Sequence, residues 1–253
     1  GKKIKIALCL SGEPRSSMFC FPYIYESFIN VGENFDVDVY IHSWKGFRAL
    51  PLYTPKFFNI EDQNNDDRFY KNMLEYFSKT ITSPKFKEFF KLTKDLTYNS
   101  SPLKNSLLMY KSISSCFDLI KEPYDIYIRS RIDIFFPNKF NSIGYFNEIF
   151  NNNADLIAIP KYILTKDEGS PPQEFIDDGL AILNYKSMKV YKDIFKEIPN
   201  IINETNSLNP EVWITHYITK HNINVKRIYD EVSICRKSNI IPGGTGYINF
   251  LDE

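Results

Sequence analysis

The stretch YDIYIRSRIDIFF, residues 124–136, carries three charges after Asp125, at Arg129, Arg131 and Asp133, through a run that otherwise has the composition of a buried β-strand. Side chains alternate between the two faces of a strand. The spacing therefore predicts one strand whose charged residues share a face: Arg129, Arg131 and Asp133. The isoleucines of the stretch fall on the other face. Because unpaired charge is costly to bury, this pattern indicates either an internal ion pair or a polar cleft in which a ligand completes the pairing.

The composition narrows the classes of function. The 253 residues include 31 basic and 31 acidic side chains with no long block of either sign, which argues against nucleic acid as a partner. Four cysteines without paired spacing argue against a zinc site and a disulfide framework. No apolar run approaches the ~20 residues of a membrane span, and a strand-like segment stands where a signal peptide would be. We expect a cytoplasmic protein, at most peripheral to the inner membrane face. Its oligomeric state stays open.

The N-terminal segment predicts a strand–helix–strand unit. Residues 4–10 are apolar and end in Ser-Gly-Glu-Pro, a helix is predicted over residues 16–30, and FDVDVYIH at 35–42 reads as the second strand. In a parallel unit of this kind the loops after Leu10 and Ile41 lie at the same edge of the sheet.

The rest of the chain continues the alternation of helices and strands, after an insertion or lid over residues 51–105 with helical pieces at 68–77 and 85–92. We predict further helices at 106–120, 187–198 and 210–220, strands at 154–159, 180–184 and 225–229, and a mobile loop at KDEGSPPQ, residues 166–173. This order predicts a single α/β domain with a mixed, mostly parallel sheet flanked by helices.

Three polar segments follow predicted strands at one edge, where open α/β sheets bind ligands. They are 11–15, 42–44 and 129–133. The Ser11-Gly12 turn lets backbone amides approach an anion, and Arg15 supplies a guanidinium suited to phosphate. The alternative is an ordinary turn, because the segment has no Walker lysine and no GxGxxG.

Together these segments resemble the GT-A-like nucleotide-sugar glycosyltransferases of capsular and surface polysaccharide gene clusters and of some large viruses. The matching pieces are IALCLSGEPR, DVYIHSW, YDIYIRSRIDIFF, DDGLAIL and NPEVWITHYI. The resemblance implies a Rossmann-like, GT-A-like domain. Within it, residues 1–135 mainly bind the donor and residues 136–253 mainly build the acceptor side.

The resemblance also implies roles on the donor side. Arg15 would hold the diphosphate, and Asp133, as the counterpart of a DXD acid, would bind Mn²⁺ or Mg²⁺, or donor hydroxyls if no metal is used. Arg131 stands where a first Asp is expected, so metal dependence stays open. Arg129 and Arg131 would neutralise the leaving nucleotide; the alternative is that they lock Asp133 in place.

Three carboxylates are candidates for the acceptor side, as binder of acceptor hydroxyls or as base: Asp177, Asp178 and Glu211. An Asx turn before Gly179 and a favourable helix dipole are the structural alternatives. For the nucleoside, the candidates are His42 and Trp44, with Tyr53 as a further stacking candidate. The alternative for His42 is a hydrogen-bonded structural residue. Trp213 is either a site or a core residue, and the glycine-rich segment 243–246 is either a phosphate loop or a turn.

The expected activity is transfer of a sugar from a nucleoside-diphosphate donor to a hydroxyl of a glycan or lipid-linked glycan, in surface polysaccharide synthesis. Two alternatives stay open on the sequence. One is a nucleotidyl- or phosphosugar-transferase, which usually has a denser Gly/Lys phosphate loop. The other is a catalytically silent scaffold that binds nucleotide sugars, which the altered DXD pattern permits.

Overall fold

A central seven-stranded sheet organises the part of the chain that the structure describes. The computed structural model describes residues 1–93, 102–163, 169, 171–235 and 247–248. The strands of this sheet are β1 (Ile4–Ser11), β2 (Phe35–Trp44), β3 (Phe57–Glu61), β4 (Ile126–Ser130), β6 (Leu156–Ile163), β7 (Gln173–Leu183) and β8 (Val225–Arg227). A small second sheet contains β5 (Ile134–Phe135), β9 (Ser233–Cys235) and β10 (Tyr247–Ile248).

The strand order of the large sheet is β3-β2-β1-β4-β7-β6-β8. Six strands point the same way, and β7 runs antiparallel to both of its neighbours. Seven α-helices connect the strands within the described residues: α1 (Ser17–Ile24), α2 (Asp66–Thr80), α3 (Pro84–Thr93), α4 (Pro102–Asp118), α5 (Ser142–Phe150), α6 (Tyr185–Thr205) and α7 (Pro210–Lys220). The predicted α/β fold with a mixed, mostly parallel sheet flanked by helices is confirmed.

The alternation of side chains along β1 separates the two layers of the core. Ile6, Leu8 and Leu10 pack in the layer that contains α1 and α5. Ala7 and Cys9 face the opposite layer, which contains α2, α3, α4, α6 and α7. Because these two side chains are small, α4 packs directly on β1 and on β2.

The predicted strand–helix–strand unit is confirmed. β1 and β2 pair in parallel register from Ile4 opposite Phe35 to Ser11 opposite His42. The connecting helix α1 continues as one π-helical segment, Tyr25–Ile29. Both strands therefore end at the same edge of the sheet, as expected.

The prediction of one continuous strand over residues 124–136 is wrong. β4 ends at Ser130, the chain leaves the large sheet at Arg131, and β5 begins at Ile134 in the small sheet, where it pairs with β9. The apolar side chains before and after the break are buried. The alternation of isoleucines in the sequence therefore continues through the break, although β4 and β5 pair with different strands.

Two other predictions, one of an insertion and one of a strand, are corrected. The segment read as an insertion at 51–105 contains β3, which pairs with β2 at the edge of the sheet. The strand placed at 180–184 is the second half of β7, so Asp177 and Asp178 lie within a strand and not before one. The predicted helix at 210–220 matches α7, and 106–120 and 187–198 fall within or close to α4 and α6.

Candidate active site

A cavity of about 260 Å³ opens at the carboxyl edge of the sheet. β1 and β4 end there, and β7, which runs the other way, passes the same edge near its middle, at Asp178. The cavity also borders the first turns of α4 and the start of α7. Its lining residues are Ser11, Gly12, Glu13, Arg15, Trp44, Asn105, Ser106, Leu108, Met109, Arg129, Arg131, Asp133, Asp178 and Pro210.

The turn after β1 is tied to the end of β2. The Gly12 amide donates to the carbonyl of His42 at 3.3 Å, and the Ser43 hydroxyl donates to the Gly12 carbonyl at 2.7 Å. Gly12 has a φ of +116°, a backbone conformation that glycine tolerates and other residues rarely adopt. The Ser11 hydroxyl is buried and has no hydrogen-bond partner among the described residues. Ser11 and Gly12 both line the cavity, so this turn forms part of its wall.

Two arginines bind the carboxylate of Asp133. Arg131 donates through Nε to Oδ1 at 2.7 Å and through Nη2 to Oδ2 at 2.9 Å, and Arg15 donates through Nε to Oδ2 at 2.9 Å. Burial alone raises the pKa of Asp133, but the guanidiniums of Arg131 and Arg15 outweigh it and hold that pKa below its ordinary value. We call this group of three side chains the arginine clamp.

The arginine clamp depends on a close approach at Gly179. The Arg131 amide donates to the Gly179 carbonyl at 3.0 Å. A Cβ at position 179 would lie 2.9 Å from Oδ1 of Asp177 and 3.4 Å from Cδ of Arg131. The absence of a side chain at Gly179 therefore makes room for both neighbours.

Arg129 lies beneath the cavity and is 1% exposed. Its Nη1 donates to the backbone carbonyl of Asp178, whereas Nε and Nη2 have no partner among the described residues. A buried guanidinium with two unpaired donors is costly unless another group supplies acceptors. Arg129 is therefore poised to bind an anion that enters the cavity.

The three predicted acceptor-side carboxylates have different surroundings. Asp178 lines the cavity, and burial raises its pKa to about 6, with the charge of Asp177 adding to the shift and Arg129 opposing it. Oδ1 of Asp177 accepts the Gly179 amide at 2.7 Å, which is the Asx turn considered above. Glu211 is 7% exposed and forms an ion pair with Lys161. Only Asp178 of the three lines the cavity.

His42 and Tyr53 do not line the cavity. His42 is fully buried, and its ring nitrogens bond Ser112 Oγ at 2.6 Å and Glu61 Oε2 at 2.7 Å. Tyr53 lies in the apolar core beside α1. For His42 these bonds match the structural alternative, and both side chains lie away from the cavity that the other predicted donor-side residues line.

One of the two tryptophans lines the cavity, and the other lies in the core. Trp44 lines the cavity, and its indole N–H donates to Asp66 Oδ1 at 3.1 Å. Trp213 is fully buried in the core and donates to the Ser207 carbonyl at 2.7 Å. The glycine-rich segment 243–246 and part of the predicted mobile loop, residues 166–168 and 170, lie outside the described residues.

The sequence prediction missed the wall formed by the first turns of α4. Asn105, Ser106, Leu108 and Met109 line the cavity there. The helix leads directly into β4, and a helix that precedes a parallel strand begins near the edge where the parallel strands end. Topology would have placed this helix start at the site.

The carboxylate oxygens of Asp133 are not arranged to coordinate a divalent cation. Mg²⁺ requires near-octahedral oxygen ligands, and both oxygens of Asp133 already accept from guanidiniums. Within the described residues, no group of three or more His, Cys, Asp or Glu side chains is arranged to hold a metal ion. The expected role of Asp133 as a metal ligand is therefore not supported by its surroundings.

Comparison with known proteins leaves the family open. No protein-family model matches the chain, and no curated protein matches it. Among solved structures, it is similar to mouse xyloside xylosyltransferase 1 in its apo form, with 12% identity, a TM-score of 0.44, and coverage of 90% of this chain and 85% of the other. It is also similar to a putative glucose-1-phosphate thymidylyltransferase from Bacillus anthracis in complex with sucrose, with 9% identity, a TM-score of 0.45, and coverage of 92% and 89%. At these values the likeness carries no argument about activity.

One further observation concerns membranes. Among the helices within the described ranges, none is long and apolar enough to cross a bilayer.

Proposed function

We propose that the chain is a glycosyltransferase that moves a sugar from a nucleoside-diphosphate donor to a hydroxyl of a glycan or lipid-linked glycan acceptor. One observation carries the proposal: the side chains of Arg15, Arg129 and Arg131 line the same cavity as Asp178, a buried carboxylate with a raised pKa. The cavity thus combines groups that neutralise a diphosphate with a group that accepts a proton.

The donor side follows from the positions of these groups. The three guanidiniums bind the diphosphate, and the Ser11 hydroxyl adds a donor at the turn after β1. As the bond between the anomeric carbon and the diphosphate breaks, negative charge grows on the diphosphate oxygen. Fixed positive charge in a partly buried cavity stabilises that charge without reorganisation.

The acceptor side is assigned to Asp178. The acceptor oxygen forms a bond to the anomeric carbon, the diphosphate leaves with the electron pair of the broken bond, and the acceptor proton passes to the carboxylate of Asp178. A pKa of about 6 lets this group be ionised at neutral pH and still accept a proton in the transition state. We assign the walls formed by Trp44 and Met109 to the nucleoside or the sugar, because flat and flexible apolar side chains suit such ligands.

A nucleotide-release assay tests the proposal. Purified protein is incubated with a panel of nucleotide sugars and glycan acceptors, and the released nucleoside diphosphate is measured. We expect release with one class of donor, weakened donor binding in Arg15→Ala, and strongly reduced but measurable transfer in Asp178→Asn. Arg48→Ala is the matched control, because Arg48 is exposed and does not line the cavity.

The alternatives give distinct results in the same assay. Unchanged nucleotide release in both Arg15→Ala and Asp133→Ala contradicts the proposed mechanism. Tight donor binding without release, across the acceptor panel, indicates the scaffold. Release of pyrophosphate from a nucleoside triphosphate with a sugar phosphate indicates a nucleotidyltransferase.

The biological setting is proposed on the sequence resemblance alone. We place the reaction in surface polysaccharide synthesis, with residues 1–135 serving mainly the donor and residues 136–253 mainly the acceptor. Detection of the transferred sugar on an isolated surface glycan, and its loss when the gene is inactivated, tests this setting.

A further inference from the structure

The arginine clamp makes Asp133 unsuited to bind a cation. Its carboxylate is 2% exposed and accepts three hydrogen bonds from two guanidiniums. A divalent ion at this position would have to displace Arg131 and Arg15 and would leave their charges unpaired beside it. Separating a buried ion pair in this way is strongly unfavourable.

The arginines of the clamp keep donors for a ligand. Arg15 uses only Nε for Asp133, so both of its terminal nitrogens are uncommitted to that carboxylate, and its side chain is 35% exposed. Arg131 uses Nε and Nη2. Asp133 therefore fixes the position of two guanidiniums while leaving donors that an anion can take.

Arg129 supplies a second, independent observation. Its guanidinium is nine-tenths or more buried, borders the cavity, and has two donors without partners among the described residues. Two unpaired donors on one planar guanidinium match two oxygens of a phosphate group. The structure thus holds fixed positive charge where a metal-dependent enzyme would recruit a cation.

We infer that this cavity binds a nucleoside diphosphate without a divalent cation, with Arg129 taking two phosphate oxygens and Arg15 reaching the same anion. Asp133 acts as a positioning residue: it orients Arg15 and Arg131 and is not a metal ligand. The inference rests on the proposed function, since it concerns the same site and the leaving group of the same reaction.

Calorimetric titration tests the inference. The protein is stripped with EDTA, dialysed, and titrated with UDP, GDP, ADP, CDP and dTDP, each with and without Mn²⁺. We expect one of these nucleotides to bind the stripped protein, with a dissociation constant that Mn²⁺ changes by less than about tenfold, equivalent to ~1.4 kcal/mol. Binding that appears only when Mn²⁺ is added overturns the inference and leaves the proposed function standing.

Substitutions at Arg129 identify the group that replaces the cation. Arg129→Gln is expected to weaken nucleotide binding by about 10- to 100-fold, the loss typical of hydrogen bonds to a charged group. Arg129→Lys keeps the charge, loses the planar fork, and should bind with intermediate affinity. Arg48→Gln is the matched control on an exposed arginine. Equal affinity of Arg129→Gln and the control overturns the assignment.

Electron paramagnetic resonance of Mn²⁺ separates a positioning role for Asp133 from metal ligation. We expect the protein with bound nucleotide to hold no more Mn²⁺ than the nucleotide holds alone, and Asp133→Asn to leave that signal unchanged while weakening nucleotide binding. A protein-bound Mn²⁺ signal that Asp133→Asn abolishes overturns the inference. If no nucleotide binds in either condition, the inference and the proposed function both fail; if nucleotide binds without metal but no donor sugar is transferred, only the proposed function fails.

Discussion

Nε of Arg15 donates a hydrogen bond of 2.9 Å to Oδ2 of Asp133, although the two residues are 118 positions apart in the chain. The bond joins the turn after β1 to the break between β4 and β5. It therefore connects the large sheet to the segment that leads into the small one, and it does so at the wall of the cavity.

The first prediction concerns the stability that Asp133 provides. Asp133→Ala removes the carboxylate that the clamp shares and leaves two guanidiniums without it. Breaking a buried ion pair by removing one partner costs about 3–5 kcal/mol, and the partial exposure of Arg15 places the expected loss near 3 kcal/mol. Urea denaturation measures the free energy of unfolding.

A matched surface pair controls for this effect. Asp193 binds Lys196 on the surface of α6, and the two side chains are 40% and 66% exposed, so Asp193→Ala is expected to leave stability nearly unchanged. Similar losses in the two variants would show that the clamp adds nothing beyond a surface ion pair.

The second prediction is a fall in stability with rising pH that originates at Asp178. The pKa of this carboxyl is about 6 in the folded protein against an ordinary value of 3.8, so the folded state holds more protons between these values. The stabilising contribution is complete below 3.8 and is lost as the pH rises through about 6. The difference between the two pKa values of Asp178 corresponds to about 3 kcal/mol of unfolding free energy.

Asp178→Asn should remove this pH dependence and make the protein more stable than wild type above the folded pKa. The measurement is urea denaturation across the acid to neutral range. Asp36→Asn serves as the control, because Asp36 is exposed on β2. An Asn variant at position 178 whose stability still falls as the wild type does would contradict the assignment.

The third prediction is that transfer activity rises over the pH range in which stability falls. Asp178 accepts the acceptor proton only when it is ionised, so kcat/KM should increase as the pH passes about 6. The measurement is kcat/KM for the sugar donor at each pH, with the acceptor at saturating concentration. Asp178→Asn should lack the acidic limb, whereas a limb that persists in this variant would assign it to another group.

The fourth prediction separates backbone strain from ligand binding at Gly12. Gly12→Ala meets no atom within 4 Å of the added methyl, so its cost is conformational, at a φ of +116°. We expect a loss of about 1 kcal/mol in the free energy of unfolding, together with weaker binding of nucleoside diphosphate. Gly46→Ala, at a φ of +99° in equally open space and away from the cavity, should lose similar stability and keep full affinity. Equal affinities in the two variants would remove Gly12 from the site.

The fifth prediction concerns two buried tyrosine hydroxyls. Tyr191 Oη has no partner within the described part of the chain, so Tyr191→Phe should leave stability unchanged or raise it. Tyr110 Oη donates to the Pro210 carbonyl at 2.9 Å, so Tyr110→Phe should cost about 1 kcal/mol. Thermal denaturation of both variants compares them directly, and a larger loss at Tyr191 would show that its hydroxyl has a partner.

The local patterns of the sequence were sufficient to predict the first strand–helix–strand unit of the fold. The apolar run at residues 4–10 and the Ser-Gly-Glu-Pro turn placed Ser11, Gly12 and Arg15 at the carboxyl edge of the sheet, where the structure has them. The same reasoning brought Arg129, Arg131 and Asp133 to that edge although the strand that carries them ends early.

The remaining features depend on contacts that no local pattern contains. The change of sheet after Ser130 leaves the apolar alternation intact, so hydrophobicity alone cannot detect it. His42 is held away from the cavity by Ser112, which is 70 positions away in sequence. Asp177 and Asp178 are chemically identical neighbours on β7, where adjacent side chains face opposite ways: Asp178 lines the cavity, whereas Asp177 accepts the Gly179 amide.

The reversed strand β7 has a consequence for synthesis of the chain. It lies between β4 and β6 but is translated after both of them. Until residues 173–183 have left the ribosome, the inner edge of β4 lacks the neighbour that completes the sheet, and an uncovered apolar strand edge invites pairing with other chains. The nascent chain therefore carries an uncovered edge of β4 in the interval between the translation of Ser130 and that of Leu183.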